Sequence, residues 1–158
     1  MPLLKGGKIV DDVWAFVEDG HELSPGGCVT VTLGRYLSEH EQLTARNEAT
    51  GVRLANTDDP ALLAPYLAHI HLIELNFPKY TDGRALSQAQ LLRRRLGYAG
   101  EIRARGQVLR DQLRSMIRCG IDAMQVEDPE VTASPEAVYE FSEHEISDNY
   151  QATADGRA

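Results

Sequence analysis

Five short runs of strand-forming residues recur along this chain at intervals of about 25 residues, and a helical stretch follows each of them. The runs are Val29-Thr30-Val31-Thr32-Leu33, Val52 to Ala55, Ile70 to Phe77, Glu101 to Arg105 and Ala123 to Val126. Between them the apolar spacing lengthens to the helical period. Leu37 and Leu43 mark a helix over residues 36–46. Asp59 and Pro60 supply a cap and first turn for a helix to about His69. Ser87 with Gln90 makes a capping box for a helix through Leu91, Leu92 and Leu96 that stops at Gly97. Val108, Leu109, Leu113, Met116 and Ile117 predict a helix ended by Gly120, and Ser134-Pro135 opens one through Val138 and Phe141.

Strands that alternate with helices pair in parallel through right-handed crossovers. The expected fold is α/β, a single domain of consecutive strand-helix units with a mainly parallel sheet. Five strands favour an open, doubly wound sheet; the repeat length also suits a partial (β/α) barrel, which would pair with a second copy. At 158 residues and 42% hydrophobic, the chain is the size of one domain with a real core. Its expected parts are an N-terminal extension over 1–28 with a short strand or hairpin, an α/β core over 29–142 and a polar C-terminal tail over 143–158.

A formal net charge of -8 argues against nucleic acid or an anionic membrane as partner, since phosphate neutralisation needs a basic excess. Any anion site must be local. Cys28 and Cys119 lie far apart and match no metal-ligand or disulfide spacing, which fits a reducing cytoplasm. The opening MPLLKGGKIVDD lacks a signal-peptide apolar run, and no later run has the length of a membrane span. His69 and His71 have no third ligand, so no metal is expected.

In parallel α/β folds ligands gather at the carboxyl ends of strands, which directs attention to two loops. After the third strand, Lys79, Asp82 and Arg84 place two cations and a carboxylate beside the flexible Gly83, a set able to clamp a small oxyanion. An ordinary Asp-Gly turn explains the same residues. In the fourth strand, period two puts Glu101, Arg103 and Arg105 on one face and Ile102 and Ala104 on the other. Parallel strands are normally apolar on both faces, so three charges in line mark a wet face, a site, or an ionic ladder in which Arg103 pairs with Glu74 or Glu101. Asp111 is placed to orient Arg105 or Lys79, or simply to complement a helix dipole. Arg93-Arg94-Arg95 reads as the solvated side of its helix. No P-loop, dinucleotide fingerprint, nucleophile elbow, HExxH or clustered-cysteine ligand set is present.

Phe77-Pro78-Lys79-Tyr80-Thr81-Asp82-Gly83-Arg84, then Gly97-Tyr98-Ala99-Gly100-Glu101-Ile102-Arg103-Ala104, then Asp111-Gln112-Leu113 and Arg118-Cys119-Gly120-Ile121-Asp122-Ala123 occur in that order. In this combination the chain resembles the bacterial domain-of-unknown-function family nine-thirty-four, whose members carry the label "oxidoreductase probably involved in sulfite reduction". Gln107 stands where that family usually has Asp, and Ile121 where it usually has Phe. The resemblance implies a place in assimilatory sulfate reduction. Two functions follow as expectations. One is a site for a small oxyanion or sulfur intermediate built from Lys79, Arg84, Arg103 and Arg105 and oriented by Asp82 or Asp111. The other is a non-catalytic accessory module that docks on sulfite reductase or a neighbouring pathway enzyme. Sulfite reduction moves several electrons, which side chains do not supply, and no cofactor motif is visible, so no redox cofactor is expected on this chain.

Overall fold

The computed structural model describes residues 2–79, 83–126 and 129–136. Its strands are β1 (Leu3–Lys5), β2 (Lys8–Val10), β3 (Trp14–Phe16), β4 (Cys28–Thr32), β5 (Thr50–Leu54), β6 (Leu72–Phe77), β7 (Glu101–Gly106) and β8 (Ala123–Gln125). They form one mixed sheet in the order β2-β1-β8-β7-β6-β5-β4-β3. Every neighbour from β3 to β8 is parallel, while β1 runs antiparallel to β8 and β2 antiparallel to β1. The five expected strands are therefore present and parallel. Within residues 1–28, where a short strand or hairpin is expected, β1 and β2 pair as a hairpin and β3 adds another strand, all in the same sheet as the core.

From β3 to β8 the strand order never reverses. Each right-handed crossover steps in the same direction, so all helices fall on one face of the sheet, and the doubly wound alternative gives way to a partial barrel. The outermost strands fix how strongly it curves. Val10 ends β2, Trp14 begins β3, and three residues join them. A four-residue step spans at most about 14 Å. Seven strand spacings laid flat would separate those edges by about 34 Å. The sheet must curl until its two edges approach each other.

Curling gives the two faces different chemistry. On the convex face Val31, Val52, Leu54, Ile73, Leu75, Phe77, Ile102, Ala104 and Met124 pack under the helices in one apolar core. These residues alternate along their strands with Thr30, Thr32, Gly51, Arg53, Glu74, Asn76, Glu101, Arg103 and Arg105, which line the concave side. Helix α1 (Leu33–Thr44) starts where the Thr32 side chain accepts from the Arg35 amide at 3.2 Å. Asp59 caps the next segment as expected, accepting from the Ala61 amide at 3.0 Å. That segment, Pro60–His69, winds as a 3₁₀ helix and not an α-helix; Pro65 inside it has no amide to donate. Helix α2 (Arg84–Gln90) begins before the Ser87 capping box, and widens into a π turn over Leu91–Arg95. Val108 and Leu109 precede the helical residues, which comprise a 3₁₀ turn at Arg110–Gln112 and α3 (Leu113–Arg118). A further helix, α4 (Pro129–Ala133), stands ahead of Ser134-Pro135, and Val138 and Phe141 lie outside the described residues. No described helix is long and apolar enough to cross a membrane.

Candidate functional site

The charged residues of the concave face divide into two clusters by the partners their side chains reach, although Arg53, Glu74 and Arg103 share one register row. Near the amino ends, Arg103 is buried at 4% side-chain exposure and donates from Nη1 to Asp12 at 2.8 Å and from Nη2 to Glu101 at 2.9 Å. Lys5 of β1 adds an ion pair to Glu101. Two cations meet two carboxylates, so this cluster is neutral. Leu3, Leu72 and Ala123 are fully buried on the same face beside it. Below them Lys5, Trp14, His71 and Glu101 line a small crevice.

Arg93 closes the amino end from outside. Its Nε donates to the Gly120 carbonyl at 2.9 Å, Nη1 to the Tyr98 and Gly100 carbonyls at 2.8 and 2.7 Å, and Nη2 to Asp122 at 2.6 Å. Asp122 in turn accepts from the Ile102 amide at 3.0 Å. One guanidinium thus ties together the turns that enter β7 and β8. Gly120 has φ +94°, and a Cβ there would sit 2.5 Å from the Arg93 side chain, so no other residue lets the arginine pass. The solvated-face expectation fails for Arg93, although Arg94 and Arg95 are exposed as expected. Helical spacing alone does not show that one arginine of three folds back onto carbonyls.

Toward the carboxyl ends the balance changes. Glu74, at the centre of β6 and 4% exposed, accepts from Arg53 Nε at 2.8 Å. The Arg105 Nε lies 4.0 Å from the same oxygen. Two cations here share one carboxylate. The Arg53 guanidinium also lies 3.8 Å from the centre of the Phe16 ring, which fixes its plane. Burial lowers the Arg53 pKa from its usual range, and Arg105 adds to the lowering, while Glu74 and Asp12 oppose it. Among the described residues, no terminal Nη group of Arg53 or Arg105 donates a hydrogen bond. Thr30 Oγ1, Arg103 Nε and Arg105 Nε are buried on this face without a hydrogen-bond partner. Each such group costs about 1–3 kcal/mol when left unmet.

The loops above this cluster are held in place. Gln88 of α2 donates to the Ala55 and Asp58 carbonyls, both at 2.8 Å, and Thr32 donates to Asp19 at 2.7 Å. Gly106 has φ +97°, and a Cβ on it would meet the Phe77 carbonyl at 2.5 Å, so β7 turns directly against β6. Asn76 pairs in register with Arg105, which puts Lys79 and Arg84, both exposed, beyond the same end of the sheet as Arg105. Asp111 is exposed in the 3₁₀ turn after β7, and Asp82 lies outside the described residues. Of the expected site residues, Arg105 stands in the cluster with surplus charge. Arg103 shares its face and the register row of Arg53 and Glu74, but its guanidinium is taken by Asp12 and Glu101, and the pairing with Glu101 is one form of the ionic ladder. Sequence reasoning passed over Arg53, although period two in Thr50–Leu54 already sets Gly51 and Arg53 opposite Val52 and Leu54.

Residues 51–158, more than half of the chain, match the family described as "Bacterial protein of unknown function (DUF934)". The chain belongs to this family. No curated protein matches it. Both clusters of the concave face draw on the DUF934 region, through Arg53, Glu74, Glu101, Arg103 and Arg105, whereas Lys5, Asp12 and Phe16 come from the strands and linker that precede it.

Proposed function

We propose that this DUF934 chain binds a small oxyanion at the carboxyl-end mouth of its partial barrel, between the Arg53 and Arg105 guanidinium groups. The observation that carries the reading is the pair of arginines braced on one buried carboxylate, with their terminal donors free of hydrogen bonds to the described residues. Planar guanidinium forks suit oxyanions because each presents two parallel N–H groups. Lys79 and Arg84, at the same end, add cationic charge to the approach. The family resemblance directs attention to the sulfur oxyanions of sulfite reduction. In that setting the chain holds the anion, and electrons come from a partner.

The test is a thermal-shift panel at constant ionic strength. A ligand at a hundred times its Kd stabilises by about 2.7 kcal/mol, so sulfite or another small oxyanion should raise Tm while nucleotides leave it unchanged. Arg105→Gln should abolish the rise. The absence of any shift with every oxyanion would sink the reading.

A second reading, an accessory module docking on sulfite reductase or a neighbouring enzyme, draws support from another surface. Ile9, Val10 and Val13 are 40%, 38% and 73% exposed along the edge strand β2 and the linker after it. The arginines are recessed within the concave face, so this strip and not the basic cluster would make the contact. Co-purification with sulfite reductase that survives Arg105→Gln but is lost with Val13→Asp would favour docking.

A further inference from the structure

Glu74 does more than brace two arginines. Its Oε2 accepts from Arg53 at 2.8 Å and lies 4.0 Å from Arg105 Nε, whereas its Oε1 makes no hydrogen bond with any described residue. The mouth therefore presents arginine donors on either side of a buried carboxylate whose second oxygen can accept one further proton donor. Within the concave face it carries one surplus positive charge, because the two guanidinium groups face a single carboxylate, while Lys79 and Arg84 stand exposed beyond it. Asp12 is engaged with Arg103 and Asp19 accepts from Thr32, so each of these carboxylates already has a partner.

From this geometry, and resting on the anion-binding reading above, we infer that Glu74 selects a monoanionic oxyanion that still carries at least one O–H. Two arguments converge. Charge balance at the mouth closes with one negative charge; a dianion would leave an uncompensated charge beside a carboxylate that is 4% exposed. Hydrogen bonding points the same way, because an anion seated between the forks brings one oxygen toward Glu74. A bare oxygen there opposes the carboxylate, lone pair to lone pair, while a hydroxyl donates to it. The ligand class is thus the hydrogen form of an oxyanion, such as hydrogensulfite or dihydrogen phosphate. Sulfate, which has no proton to donate near neutral pH, is excluded.

Isothermal titration on the full chain decides this, with sulfate, sulfite and inorganic phosphate as probes at constant ionic strength between pH 6 and 8. Sulfite and phosphate should bind more weakly as pH rises and their dianions replace the hydrogen forms, and sulfate should bind at least tenfold more weakly than either at pH 6. Glu74→Gln adds an amide donor and a unit of positive charge, so it should gain sulfate affinity at least tenfold and lose the pH dependence. Glu41→Gln, which adds the same charge on the exposed side of α1, should leave the preference unchanged. If Glu74→Gln does not fold, the pH dependence of the unmodified chain still decides. Equal, pH-independent binding of sulfate and phosphate would overturn the role of Glu74 and leave the anion site standing. No binding of any of the three would overturn the site itself.

Discussion

The two ends of the concave face are built from the same residue types and do opposite things. At the amino end Arg103 is enclosed by Asp12 and Glu101, and Arg93 seals the turns behind them. At the carboxyl end Arg53 and Arg105 share Glu74 and keep their terminal donors. A buried cation with matched carboxylates contributes to holding a structure in one arrangement, whereas a cation with half a partner is held ready for something else. The proposed anion site follows the general rule for parallel barrels, in which the amino-end face carries stability and the carboxyl-end face carries function.

Removing a charge from each end should break the symmetry between them most sharply. Arg103→Met leaves two carboxylates without their shared cation inside the sheet and should cost about 3–5 kcal/mol in urea denaturation. Arg105→Gln, at a side chain 30% exposed with one distant ion pair, should cost less than about 1 kcal/mol while eliminating anion binding. Equal costs at the two positions would erase the distinction. Next in size is Arg93→Lys, for which we expect a loss of about 2–3 kcal/mol, since an ammonium cannot reproduce a fork that reaches three carbonyls and a carboxylate.

The smallest effect is one of pH. Tyr98 donates to the Ile70 carbonyl at 3.0 Å, and burial pushes its phenol above the ordinary value, outweighing the opposing pull of Arg93. The unfolded chain releases this proton near pH 10 while the folded chain keeps it, so the stabilisation is complete below about pH 10 and declines as pH rises beyond it. Tyr98→Phe should lower stability at neutral pH by about 1 kcal/mol and make the alkaline decline shallower. A decline unchanged by the substitution would remove Tyr98 as its source; burial also raises the Tyr36 pKa and leaves a residual slope.

Much of this was legible in the residues because the signals are local. Val29 to Thr32 is β-branched, Ile70 to Phe77 is mostly apolar and stopped by Pro78, and Asp59-Pro60 is a cap followed by a first turn, so strands and turns announce themselves. The alternation in Glu101 to Arg105 likewise exposed one charged face. What the residues do not write is which strands become neighbours. An unreversed strand order makes a barrel where a reversed one makes an open sheet, and both use strands of the same composition. The same gap hid the site. Arg53, Glu74 and Arg105 lie on three strands, and their meeting depends on register: Arg53 opposite Glu74, and Asn76 opposite Arg105. Asp12 and Phe16 were further out of reach, because only curvature brings the linker and β3 over the concave face.

That linker also dictates a timetable. Leu3 pairs with Gln125, so the strand of this sheet that is made first has its place beside the one made last. Until β8 has been made, β1 and β2 have no parallel core to join, and the short connection to β3 tethers them to the opposite edge. The central βα units can assemble progressively from neighbours in sequence, whereas the β1–β8 seam closes across the widest sequence separation in the sheet. The apolar residues Ile9, Val10 and Val13 spend that whole interval next to unpaired backbone, which makes vectorial synthesis the stage at which this chain is most exposed to aggregation.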